Sequence, residues 1–223
     1  LAKLFVTHGL VCGVTEDGHV ALSSENGAPR KGPWEMLEGV TDISFGDAKN
    51  FCAGVKTDGT VVLAAAPNYD NTWMPKAESL PKAKAVRCDN ASLLILTEAG
   101  GVMAWNQSGD EVKVPPNLKR GIVQWVEPNV YIPTGQKEQV LGGAYLDRQG
   151  DFLIQKAGVF SAAAKDVIEV AGGAGRYHYK PKRKPWTFVG DDQYGEFKKA
   201  KEVLGGSNPI SWSLSNTTLS AVY

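Results

Sequence analysis

Cysteine and histidine are scarce in this chain of 223 residues, which contains three of each. So few thiols and imidazoles exclude a multi-zinc protein and a scaffold held together by disulfides. Cys12 and Cys52 lie at nearly the same position relative to the Asp-Gly pair that follows each of them, and Cys88 ends a predicted strand. We expect all three to be free, buried thiols, which is typical of a protein from a reducing compartment.

Long apolar runs and an excess of charge of one sign are also missing. No apolar run approaches the roughly 20 residues that a membrane span needs, and no signal-peptide pattern is present, so we expect no membrane insertion. Lys and Arg number 24, as do Asp and Glu, which gives a net charge of zero. The chain as a whole is therefore not attracted to nucleic acid or to an acidic membrane, although a local patch could be. The first residue is Leu1 rather than Met, which is consistent with a trimmed piece of a longer protein.

Familiar catalytic motifs are absent as well. The sequence has no Gly-x-Ser-x-Gly, His-Glu-x-x-His or phosphate-binding Walker segment. His8, His19 and His178 lie far apart, and none has a second ligand at metal-binding spacing. The interpretation is a non-enzymatic protein with no catalytic residue, metal or cofactor.

What the sequence does contain is an internal repeat. The segment from Val14 to Leu22 recurs from Val55 to Leu63 and again from Leu96 to Ala104, with 41 residues between successive turn glycines. Weaker copies surround Gly150 and Gly195, and a degenerate sixth lies near Trp212. Repeats of this kind determine the overall fold, so they carry more weight for the fold than any local motif.

Each repeat has the pattern of a β-hairpin. Apolar residues alternate, stop at Asp-Gly or a related pair, and then alternate again, which predicts two strands joined by a tight turn. We expect both residues of an Asp-Gly pair such as Asp58-Gly59 to adopt positive φ. A short strand precedes each hairpin, for example near Leu4–Val6, Ile43–Phe45 and Ala85–Arg87.

Six repeats of about 37 residues fit the four-stranded blade of a β-propeller. The predicted fold is therefore all-β, a six-repeat propeller of four-stranded antiparallel blades in a single domain, with other closed all-β folds as the alternative. The predicted repeats cover residues 1–39, 40–82, 83–120, 121–166, 167–199 and 200–223.

The first three repeats resemble a known family. Cys12–Val20 and Cys52–Val61 match the small/Cys, apolar, Asp-Gly, Val pattern of the regulator-of-chromosome-condensation repeat, and Trp105 stands where that repeat has its Trp. The propeller-type β-lactamase inhibitor proteins are similar in the same way. The resemblance covers about residues 4–120. It implies a propeller scaffold for macromolecular binding, without the nucleotide-exchange activity of one family member.

Binding is expected at the end of the blades that has the long loops, opposite the Asp-Gly turns, because long loops on a rigid scaffold usually provide binding residues. These loops are predicted at residues 23–32, 65–72, 107–112, 127–139 and 171–185. Trp34 and Trp73 follow their turn glycines at similar distances, which favours packing between blades for these two. The predicted partner-binding residues are Tyr69, Trp105, Tyr131, Arg176, Tyr177, His178, Tyr179, Lys182, Arg183, Lys184 and Trp186.

The segment from Arg176 to Trp186 is the most unusual, because cations alternate with aromatic rings and two prolines. This composition suits an acidic protein surface, a polyanionic glycan or single-stranded nucleic acid, but a solvated extended loop is an equally simple interpretation. The functional hypothesis is a module that binds a protein partner through the long-loop end. The alternative is an adhesin for a host-surface receptor or glycan, from a virus or phage and exposed on the virion. An enzyme with its active site in the central channel is disfavoured by the few histidines.

Overall fold

A computed structural model of the chain describes residues 3–7, 10–24, 28–46, 50–89, 92–133, 137–156, 159–173, 176–183, 187–189, 211–214 and 219–222. These residues form nineteen strands in six antiparallel sheets. The strands follow one another in chain order within each sheet, so the predicted all-β, antiparallel architecture is confirmed. No described helix is long and apolar enough to cross a membrane.

The chain is divided into two compact units. Unit 1 comprises Leu1–Val114 and Asn129–Leu141, and it contains the first three sheets. The first sheet consists of β1 (Lys3–Thr7), β2 (Leu10–Val14), β3 (Val20–Ser24) and β4 (Pro29–Arg30). The second consists of β5 (Val40–Gly46), β6 (Phe51–Lys56) and β7 (Val61–Ala65). The third consists of β8 (Ala83–Asp89), β9 (Ser92–Thr97) and β10 (Val102–Trp105).

Unit 2 comprises Pro115–Pro128 and Gly142–Tyr223. The fourth sheet, most of which belongs to this unit, consists of β11 (Ile122–Tyr131), β12 (Val140–Asp147), β13 (Phe152–Lys156) and β14 (Val159–Ala164). The fifth consists of β15 (Val167–Gly173), β16 (Arg176–Pro181) and β17 (Thr187–Val189), and the sixth of β18 (Ser211–Leu214) and β19 (Leu219–Val222). Short 3₁₀ turns at Pro33–Met36, Ala77–Ser79 and Pro116–Leu118 lie between the first four sheets.

The uniform four-stranded blade is not confirmed. Only the first and fourth sheets have four strands, whereas the others have two or three within the described part of the chain. After β7 the chain forms a local turn instead, in which Asp70 accepts the amide of Thr72. After β10, a turn in which Asn106 accepts the amides of Ser108 and Asp110 leads only to a single antiparallel bridge between Trp105 and Glu111. The single-domain description and the six repeat boundaries stay predictions.

The hairpin turns differ from the predicted type in one respect. Gly59 has a φ of +80°, but Asp58 is not among the described residues of positive φ. The Lys56 and Gly59 amides donate to the carbonyls of Thr60 and Lys56, at 2.8 and 2.9 Å. This is the pattern of a three-residue loop in which only the glycine is left-handed, so Asp58 is free to accept the amide of Thr60 at 2.9 Å. The predicted fifth turn glycine, Gly195, lies outside the described residues.

Three of these turns are hydrogen-bonded to the first strand of the following sheet. The Gly18 and Gly59 carbonyls accept the amides of Val40 and Ala83, at 3.3 and 2.8 Å in unit 1. Within unit 2, the Gly150 carbonyl accepts the amide of Val167 at 3.0 Å. The bond fixes the position of the turn backbone, because the amide that donates it belongs to a regular strand or lies at its start.

Side chains also join the first strands of successive sheets, whose outer edges lack a strand partner. The Ser44 hydroxyl accepts the Cys88 amide at 2.9 Å, and the Gln124 amide group donates to the Val170 carbonyl at 2.7 Å. These bonds satisfy edge groups that would otherwise be open to another chain. The core of each unit lies between such sheets, with Trp34 packed edge-on against Phe45 at 5.7 Å in unit 1.

Candidate functional site

The segment from Arg176 to Trp186 is not the exposed loop that its composition predicts. Arg176–Pro181 forms β16, the central strand of the fifth sheet. The Tyr177 and Tyr179 rings, two residues apart, both contact Phe152, with ring centroids at 6.2 and 5.5 Å. His178 points to the opposite face and is 0% exposed. The three ring residues therefore belong to the sheet packing, and His178 is not accessible to a partner.

Of the other residues of this segment, some are exposed and some lie outside the described part of the chain. Lys182 and Arg183 are exposed in the turn between β16 and β17. That turn lies at the end of the fifth sheet that corresponds to the glycine turns, and not at the predicted long-loop end. Lys184, Trp186 and the side chain of Arg176 lie outside the described residues.

Two of the predicted long loops are partly strands. The 171–185 segment contains the end of β15 and all of β16, and the 127–139 segment contains the last five residues of β11. Glu127 has a φ of +43° opposite Gly143, where a Cβ atom would lie 2.7 Å from the Glu127 carbonyl oxygen. Because Gly143 has no Cβ, β12 can pair with β11 at this point, although β11 is irregular there and contains Pro128. The sequence pattern does not predict this pairing.

Most long-loop aromatics in unit 1 stabilise the loops themselves. Tyr69 stacks on the buried Phe51 with a centroid distance of 5.5 Å, and Trp73 meets the same ring edge-on at 5.1 Å. Trp105 is half-buried against the same core. Tyr131 differs, because it is 39% exposed and is followed by Ile132 at 56%. Of the aromatic residues predicted to anchor a partner, it has the greatest exposure among those whose side chains are described.

A group of cations lies at the turn end of unit 2. We define the basic turn surface by the six exposed side chains of Lys119, Arg120, Arg148, Lys165, Lys182 and Arg183. They come from two links that precede a first strand and from two hairpin turns, spread over more than sixty residues of sequence.

Backbone hydrogen bonds bring these links and turns together. The Arg148 amide donates to the Gly121 carbonyl at 2.9 Å, which places the fourth sheet's turn beside Arg120. The Lys182 amide donates to the Asp166 carbonyl at 2.7 Å, which places the fifth sheet's turn beside Lys165. Together with the bond from Val167 to Gly150, they connect the links and turns into one continuous backbone arrangement.

Few carboxylates offset these cations. Asp166 is the exposed acid within the two links and two turns. Asp147 is half-buried, and its carboxylate accepts the amides of Gln149 and Asp151, both at 2.9 Å. Asp151, also half-buried, follows in the same turn, so the six cations outnumber the three aspartates and the surface keeps a local excess of positive charge on a chain of zero net charge.

The corresponding turns of unit 1 have the opposite character. Glu98 occupies the place of Arg148, because its amide donates to the Lys82 carbonyl at 3.0 Å. Asp58 contributes a second carboxylate, and Lys82 lies 2.7 Å from it. The hydrogen bond from Lys82, followed by those from Thr60, holds the pKa of Asp58 well below its usual range. The basic character of the unit 2 turns is thus specific to those turns and not a property of the repeat.

The three cysteines form a buried set in unit 1. Cys12, Cys52 and Cys88 are free and at most 2% exposed, as predicted. Burial raises the pKa of Cys12 to about 11 and that of Cys52 to about 12, and it raises the pKa of Cys88 as well. Within the described residues, no group of three or more His, Cys, Asp or Glu could hold a metal ion.

We expect the native chain to be inert to Ellman's reagent at about pH 8. Burial keeps the reagent from the sulfur atoms, and the raised pKa values keep the thiols protonated, whereas the reaction needs a thiolate. All three thiols should react once guanidinium unfolds the chain, and Ser108→Cys, at an exposed position, should react in the native state.

The folded chain binds the thiol protons more tightly than the unfolded chain does, so the free energy of unfolding should fall as the pH rises above about 8.5. Native-state labelling of Cys12, Cys52 or Cys88 at the rate of the Ser108→Cys control would contradict this account.

Comparison with known proteins shows the fold but not a family. No family model and no curated protein matches the sequence. Prp20p from Saccharomyces cerevisiae, whose crystal structure is known, is similar at a TM-score of 0.52 and 11% identity over 84% of this chain and 57% of that one. The designed protein Ika8 matches at 0.49 and 12% identity over 84% and 57%, and the C-terminal domain of gp131 from bacteriophage phiKZ at 0.45 and 9% over 81% and 58%. The chain thus spans less than two thirds of the length of these structures, and the similarity to Prp20p shows a fold of the β-propeller type.

Proposed function

We propose that this chain is a non-enzymatic binding module, built on a propeller related to the chromosome-condensation-regulator repeat, that binds a protein partner at the basic turn surface. The observation that supports it is the set of six exposed cations on links and turns joined by backbone hydrogen bonds. The structural neighbour Prp20p was described together with its binding to Gsp1p and histones. A propeller scaffold is therefore suited to holding other proteins.

The fixed backbone of these turns favours binding. Ordering a flexible loop costs free energy on association, and turns that are already hydrogen-bonded to neighbouring strands avoid much of that cost. Arginine is enriched at protein interfaces, and complementary charge increases both specificity and the association rate. The predicted role of Tyr69, Trp105 and Tyr131 at the long-loop end stays a prediction, and only Tyr131 among them is exposed.

Site-specific photo-cross-linking tests the proposed surface. We expect a benzoylphenylalanine at Gln149, which is exposed in the turn beside Arg148, to cross-link one partner of defined mass in cell extract. The matched control places the same group at Ala99, the equivalent exposed turn position of the third sheet. Equal cross-linking at both positions, or none at Gln149, would contradict the proposal.

Charge reversal provides a second test with the partner so obtained. Arg148→Glu, Lys182→Glu and Arg183→Glu together should weaken its binding about tenfold or more, because rim charges that attract would then repel. The control combines Lys31→Glu, Lys84→Glu and Lys113→Glu, which changes the net charge equally at exposed positions of unit 1. Unchanged thermal melting of both variants separates lost binding from lost folding.

A further inference from the structure

The basic turn surface presents groups suited to carboxylates. Arg120, Arg148 and Arg183 each provide a planar guanidinium that can bind one carboxylate through two parallel hydrogen bonds. Lys119, Lys165 and Lys182 add compact positive charges beside them. All six are exposed, so their attraction for a carboxylate is screened by water and weakened further by salt.

The cations lie on separate links and turns and not in one short loop. A ligand that contacts several of them must therefore extend across the ends of the fourth and fifth sheets, which β11 to β17 form. The backbone bonds from Arg148 to Gly121 and from Lys182 to Asp166 keep this order fixed. An extended peptide with repeated acidic side chains has the length and the charge distribution to do so.

The same residues are poorly suited to single-stranded nucleic acid, the alternative that the sequence composition leaves open. Binding of that kind combines cations with exposed aromatic rings on which bases stack. Tyr177 and Tyr179 instead contact Phe152 within the sheets. The described large apolar side chains exposed in unit 2 are Val123, Val159 and Ile168, none of which is aromatic.

We infer that the basic turn surface recognises a segment rich in Asp and Glu on the partner protein. This inference rests on the proposed function and specifies the chemistry of the partner. The segment's carboxylates bind the guanidinium and ammonium groups of links 119–120 and 165 and of turns 148 and 182–183. Recognition is by charge pattern, and it is strongest at low ionic strength.

Fluorescence anisotropy with defined probes tests the inference on the intact chain. The probes are a labelled Glu-Gly repeat peptide, a Lys-Gly repeat of the same length and a labelled oligothymidylate. We expect the Glu peptide to bind more tightly than the other two, with an affinity that falls steeply as salt increases. The triple variant Arg148→Glu, Lys182→Glu, Arg183→Glu should lose about tenfold or more of that affinity, and the triple control in unit 1 should lose little.

Several outcomes would overturn the inference, and they are distinguishable from failure of the proposed function. Tighter binding of oligothymidylate would assign the surface to nucleic acid. Sedimentation that shows a salt-sensitive dimer of the chain alone would assign it to the acidic turns of a second copy. Failure of the Glu peptide alongside a specific Gln149 cross-link would reject the acidic segment and keep the protein-binding function, whereas failure of both would reject the two together.

Discussion

Gly18→Ala is expected to destabilise unit 1 by about 3 kcal/mol or more. The residue has a φ of +80°, which costs a residue with a Cβ about 1–2 kcal/mol. The added atom would also lie 2.4 Å from the Gly39 Cα and 2.7 Å from the Val40 nitrogen. Both contacts are with backbone, so relief requires moving the start of β5 and lengthening its 3.3 Å bond to the Gly18 carbonyl. Urea unfolding followed by tryptophan fluorescence measures the loss.

Gly39→Ala is the matched control for this prediction. Gly39 also has a positive φ, at +67°, but a Cβ atom there would meet nothing within 4 Å. It should therefore cost only the backbone term of about 1–2 kcal/mol. Equal losses for Gly18→Ala and Gly39→Ala would show that the close approach between the first turn and β5 does not determine stability.

Phe51→Ala is expected to cost about 3–5 kcal/mol, the usual range for removing a large buried ring. Phe51 is 0% exposed, and its ring supports both Tyr69 and Trp73. Beyond the cavity, the substitution should release the loop that contains these two side chains. Denaturant unfolding gives the free energy, and amide exchange over residues 66–74 reports on the loop.

The comparison variant for Phe51 is Met36→Ala in the same unit. Met36 is 64% exposed, so truncating it should change stability by no more than about 0.5 kcal/mol. Should Phe51→Ala leave exchange in 66–74 unchanged, Tyr69 and Trp73 would be held by other contacts. The role of the Phe51 ring as the support of this loop would then be wrong.

The hairpins could be predicted because their information is local. Apolar residues alternate on both sides of Gly59 and Gly100, which is the period of two of a strand, and the glycine between them can adopt the left-handed conformation of a turn. Neither signal depends on the rest of the fold. The observed pairing of Val55 with Val61 and of Leu96 with Val102 follows from that pattern. The turn type was wrong in detail, since the aspartate's side chain accepts a backbone amide and its own φ stays negative.

The candidate site could not be predicted because its information is not local. Tyr177 and Tyr179 could stack on a ligand or on the core, and the position of Phe152 decides between them. Their spacing of two around His178 was the available signal for a strand, but the surrounding lysines and prolines pointed to a loop. The basic turn surface combines Arg120 with Arg148 through a backbone bond that no sequence motif encodes.

Amide hydrogen exchange with and without the cross-linked partner tests the central claim most directly, because it compares the two ends of the sheets in one measurement. The account predicts added protection at residues 148–150 and 182–183, where the turns of the fourth and fifth sheets lie, and no change at the acidic turn 98–100. Protection confined to residues 66–74 and 131–133, at the long-loop end, would contradict it and return the binding site to the opposite end.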